Sequence, residues 1–99
     1  MGLSIEELRR SVEARHGGKA TFVQSVPVIE TFQGKPVWVG VVQIFDLAGH
    51  PEATRAYAWS SAIEGSIKRR FFGLLHFGAI QSPLDAVRAT IVAERRSGR

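Results

Sequence analysis

The sequence has no cysteine, one methionine and one tyrosine in its 99 residues. Without cysteine there are no disulfides, no thiolate chemistry and no zinc site built on sulfur ligands. Long apolar runs are missing too. A stretch such as Val37–Val42 is far shorter than the roughly 20 residues that span a bilayer. The N-terminus lacks the charged-then-apolar layout of a signal peptide, so a cytoplasmic protein is expected. Complete catalytic signatures are also missing. Gly17-Gly18-Lys19 follows a predicted helix, whereas a phosphate loop follows a strand, and Ser60-Ser61 lie in no nucleophile elbow. The absences point to no cofactor, no metal and, on balance, no enzyme.

What is present is an ordinary globular composition, 44% hydrophobic and 22% charged. That is enough apolar content to offset the entropy of ordering one chain, and the length suits one domain over residues 1–99. The net charge is +4, from 13 basic and 9 acidic residues. Arg95, Arg96 and Arg99 fall in the last five positions, expected to be a flexible basic tail, and the rest of the chain is nearly neutral. Nucleic acid is therefore an unlikely partner by composition: the body lacks a phosphate-tracking field.

Leu3–His16 carries the signature of a helix. Ser4 and Glu7 have capping-box spacing, Leu3 and Leu8 flank the cap, and Ile5, Leu8 and Val12 make the apolar stripe. Gly17-Gly18 ends it. Four strands follow, over Phe22–Phe32, Val37–Leu47, Arg55–Ser61 and Arg69–Phe77. Their connections are short, which predicts an antiparallel meander. Pro27 cannot donate to a ladder, so the first strand is expected at a sheet edge or to carry a bulge. Ser82, Pro83 and Asp85 then open a second helix whose stripe is Leu84, Val87 and Ile91. The expected fold is α+β, a four-stranded meander with both helices packed on one face.

That order, with Val-Pro-Val-Ile-Glu-Thr-Phe-Gln-Gly at 26–34, Phe45-Asp46-Leu47-Ala48-Gly49-His50-Pro51, Arg55–Ser60 and Ser82–Glu94, resembles a group of short bacterial hypothetical proteins. The resemblance covers most of the chain and implies no catalytic or binding residue. The order is also loosely similar to a double-stranded-RNA-binding domain with an extra strand. The second helix here opens Ser-Pro-Leu-Asp-Ala-Val, where that family's pattern has a basic cluster.

Candidate sites are few. His50 lies four residues after Asp46, which suggests a carboxylate–imidazole pair or half a metal site, although a solvated turn is the plainer reading. His76 reads as a hydrogen-bonded strand residue. Lys68-Arg69-Arg70 before Phe71-Phe72 has the look of a nucleic-acid site, yet alternation sends neighbours to opposite faces. Gly40 and Gly73 inside strands, with Tyr57 and Trp59 between them, suggest a shallow aromatic-floored pocket for a small apolar ligand; aromatic rings covering glycine is the plainer reading.

The most informative pattern is apolarity on both sides of the strands. Val37, Val39, Val41 and Phe45 point one way, and Trp38, Val42 and Ile44 the other. Helices on one face leave the other uncovered, so a homodimer or larger symmetric assembly is expected. The set taken as its candidate interface is Trp38, Val42, Ile44, Phe72 and Leu74.

Overall fold

The computed structural model describes residues 3–63 and 65–97. The first helix, α1 (Ile5–His16), begins with the capping box expected. The Glu7 amide donates to Ser4 Oγ at 3.0 Å and the Ser4 amide donates to Glu7 Oε1 at 2.8 Å. Gly17 ends α1 at a φ of 84°, in the left-handed region that favours glycine. The strands β1 (Lys19–Phe32), β2 (Lys35–Ala48), β3 (Arg55–Ala62) and β4 (Arg69–Leu75) form one sheet in the order β1-β2-β3-β4, every pair antiparallel. Helix α2 (Pro83–Ser97) closes the chain. The order is the predicted α-β-β-β-β-α. Glu64 of the expected β3–β4 turn, and Gly98 and Arg99 of the expected tail, lie outside the described residues. Arg95 and Arg96 belong to the last turn of α2.

One expectation is corrected: the helices lie on opposite faces. Leu8 and Val12 of α1 pack with Phe45, Leu47, Ala56 and Ala58, joined by Phe71 and Leu75. Ala86 and Val87 of α2 pack with Val42, Ile44, Tyr57 and Trp59, joined by Trp38, Phe72, Leu74 and Ile91. Each strand contributes alternate residues to the two clusters. The physical reason is the two-sided apolarity itself. A sheet buried on both sides needs a cover on each, and one helix per face supplies it.

Strand β1 changes sides along its length. Phe22 pairs with Phe45 and Gln24 with Ile44, so Val23 is an extra residue. Such a bulge inverts which side chains face which way. Ala20 joins the α1 cluster, whereas Val26 and Val28 join the α2 cluster. Beyond the bulge Pro27 and Ile29 therefore face the α1 side, opposite Val41 and Val39. β1 is an edge strand, as Pro27 requires.

The sheet is four strands wide only at one end. β2 pairs with β3 across Gln43–Asp46 alone, while its pairing with β1 runs on to Phe32 and Lys35. The far half of the β1–β2 hairpin projects as a two-stranded arm, closed by a turn at Gln33 and Gly34 with φ of 53° and 80°. Where β3 leaves β2, the Ser60 carbonyl accepts from Arg69 Nη2 at 3.1 Å. On the α2 side the arm is tied down. Trp38 meets Trp59 edge-on at 5.7 Å, Trp59 stacks on Phe72 at 5.4 Å, and Arg88 of α2 donates to the Glu30 carboxylate.

Candidate functional site

On its α1 side the arm has no cover among the described residues. The pairs Pro27–Val41 and Ile29–Val39 stand side by side, beyond the strip of Phe45 and Leu47 that α1 occupies. Ile29 keeps 64% of its surface, Val39 67% and Val41 47%, and Pro27 is exposed as well. Ser25 and Gln43, hydrogen-bonded through their side chains, separate this patch from the α1 core. The result is a contiguous apolar set of β-branched and cyclic side chains on a two-stranded ladder. Isolated exposed aliphatic residues are common on soluble proteins; a contiguous set on one sheet face is less so.

The outer strands β1 and β4 are partly blunted, whereas residues 35–42 of β2 pair with β1 alone and leave their other side open. On β1 the bulge at Val23 and the proline at 27 interrupt the row of donors. On β4 the outward carbonyl of Gly73 is bonded to His16 Nε2 at 2.8 Å, and the Arg15 guanidinium lies 5.2 Å from the Phe71 ring centroid. The arm thus carries both an exposed apolar face and an open β2 edge.

The five residues expected at the interface are on the other side. Val42 and Ile44 are buried, and Trp38, Phe72 and Leu74 are half-buried, all against α2. Their own helix covers them, so the apolar surface that motivated their selection is already satisfied within the chain. Gly40, Tyr57, Trp59 and Gly73 do not converge on one pocket. A Cβ on Gly40 would meet the Trp38 ring at 2.8 Å, and one on Gly73 the Phe71 ring at 2.5 Å. Trp38 belongs to the α2 side and Phe71 to the α1 side, so the two glycines are on opposite faces, each roofed by an aromatic of its own strand. Tyr57 and Trp59 are core residues on the α2 side; the Trp59 indole N–H is buried with no partner among the described residues.

The histidines hold structure together. His50 Nδ1 accepts from the Glu52 and Ala53 amides, each at 3.0 Å, while Asp46 Oδ1 receives Nε and Nη2 of Arg55 at 3.2 Å. The suggested Asp46–His50 pair is therefore not formed. His76 Nδ1 is 2.6 Å from the Tyr57 hydroxyl, and burial raises the Tyr57 pKa above its ordinary value. Among the described residues no three His, Asp or Glu side chains group as metal ligands. Within the basic run, Arg69 turns to Ser60 and Arg70 to Glu94 and the Phe72 face. The run divides between the two sides of the sheet, as alternation requires.

No protein-family model, curated protein or solved structure matches this chain. No helix among the described residues is long and apolar enough to cross a membrane. The patch residues Ile29 and Pro27 escaped the sequence reading because their side depends on the bulge at Val23. Val39 and Val41 were legible as one alternating set.

Proposed function

We propose that the protein is a self-associating module whose biochemical role is to form a symmetric dimer through the α1-side face of the β1–β2 arm. The observation that carries this reading is the exposed apolar set Pro27, Ile29, Val39 and Val41, side by side on one face of the arm. A two-fold axis lets one such face cover another without any second protein.

Magnitudes decide what kind of dimer to expect. A fully buried aliphatic side chain contributes about 1.5–3 kcal/mol. Scaled to the exposed fractions of Ile29, Val39 and Val41, each protomer gains roughly 3–5 kcal/mol as an upper estimate, and the pair roughly twice that. Losing translational and rotational freedom costs about 4–15 kcal/mol. The balance is close, which favours a concentration-dependent dimer over an obligate one.

Analytical ultracentrifugation over a wide concentration range tests this directly. The wild-type chain is expected to pass from monomer to dimer as concentration rises. Val39→Glu and Ile29→Glu are expected to hold it monomeric with an unchanged circular dichroism spectrum, because both side chains already face solvent in the monomer. A wild-type chain that stays monomeric at millimolar concentration, or a Val39→Glu variant that dimerises as the wild type does, defeats the reading.

A further inference from the structure

On the opposite side of the same arm, between its tip and the C-terminal half of α2, runs a groove lined by Phe32, Val37, Arg88, Ile91, Val92 and Arg95, with Glu30 and Thr31 at its margin. Its volume is about 240 Å³, the size of a fragment rather than of a large ligand. Three of its apolar walls stand open: Phe32 is 52% exposed, Val92 47% and Val37 44%. The bulge between Glu30 and Thr31 brings Pro36 opposite Thr31 and leaves Val37 as the extra residue, which explains how a valine of β2 comes to line an α2-side groove.

The charges in these walls do not balance. Arg88 is matched by Glu30, whose two carboxylate oxygens it contacts through Nε and Nη2. Glu30 is held ionised below the usual carboxylate range by that hydrogen bond. Arg95 has no carboxylate partner among the described residues; its guanidinium lies 5.4 Å from the Phe32 ring centroid instead. A guanidinium stacked on a ring keeps its N–H edge free for an incoming acceptor, in a geometry that matches a carboxylate bidentately. The groove therefore combines an apolar trough with one positive charge that has no carboxylate partner among the described residues. Mostly apolar walls with a few placed polar groups are the usual make-up of a small-ligand site.

We propose that this groove binds a free small carboxylate with an apolar body, the hydrocarbon lying along Phe32, Val37, Ile91 and Val92 and the carboxylate on Arg95. The volume selects one medium-length chain or a single ring, and the net single charge selects a monoanion. The site is independent of the proposed dimer face, which lies on the other side of the arm.

The probe is octanoate, added to the full-length chain and followed by amide chemical shifts, with 1-octanol and acetate as partial mimics. Octanoate is expected to bind saturably and to shift the amides of Phe32, Val37 and Val92. 1-Octanol lacks the charge and acetate lacks the chain, so each should bind at least about tenfold more weakly. Arg95→Gln should weaken octanoate by about tenfold while leaving 1-octanol unchanged. Val92→Glu places a like charge on the groove's lip and should abolish octanoate binding, and both variants alter exposed side chains that the fold does not need. Shifts centred elsewhere, equal binding of octanoate and octanol, undiminished binding by Arg95→Gln, or binding only to anionic phospholipid vesicles would each overturn the proposal.

Discussion

Tyr57 shows how a single residue couples the core to pH. Its ring is 2% exposed, its hydroxyl bonds His76, and burial raises its pKa. The sign follows from linkage. The neutral phenol is favoured in the folded state, so the stability it contributes is whole below the unfolded pKa of about 10 and is lost as pH rises through the folded value. Wild-type stability in urea is expected to fall above about pH 10, with Tyr57→Phe flattening that alkaline limb. The same variant should lose about 1 kcal/mol at neutral pH for the hydrogen bond removed from His76. An alkaline limb unchanged by Tyr57→Phe would assign the loss to other groups. None of this was readable beforehand, because Tyr57 and His76 are 19 residues apart and meet only through the β3–β4 register. Ser4 and Glu7, by contrast, act within one helical turn, and local spacing was enough to find their hydrogen bonds.

Among the elements, legibility followed the same division between local and distant. Period-two alternation, short turns and Pro27 placed all four strands. Ser82 was also legible as a cap: its Oγ accepts the Asp85 amide at 3.1 Å, although the Asp85 carboxylate turns to the Gln81 amide rather than completing the box. Which face each helix covers depends on contacts far apart in sequence, and an apolar pattern on both sides of a strand does not by itself say which helix goes where. Trp38 and Phe72 belong to the cluster under α2, in the stack that fastens the arm to the core. Trp38→Glu or Phe72→Glu removes a ring from that stack and puts a charge in its place, and either should destabilise the domain rather than part a dimer. A drop of about 3 kcal/mol or more in urea stability is expected, against less than about 0.5 kcal/mol for Val39→Glu on the exposed side. Comparable losses at both positions would mean that the two sides of the arm are equally buried.

For the whole molecule, sequence and structure agree that this chain carries more apolar sheet surface than one layer of helix covers, and differ on where the excess lies. Its most exposed part lies on an arm that projects beyond β3, with Pro27 and the Val23 bulge on its β1 edge. An association driven by such a face has a physical signature separate from one driven by the basic residues. Burial of aliphatic side chains is entropic near room temperature and weakens on cooling. Contacts to phosphates weaken steeply with salt instead. Arg88 is engaged by Glu30 and Arg70 by Glu94, and neither lies on the α1-side face of the arm, so the proposed contact is apolar in the main. The dimer's dissociation constant is therefore expected to rise as temperature falls toward about 5 °C, and to change less than twofold between about 0.05 and 0.5 M salt. Sedimentation velocity at the two temperatures and across the salt series reads both quantities from one preparation. Association that strengthens in the cold, or that disappears as salt rises, points to charged contacts and would move the interface from Ile29 and Val39 to the arginines.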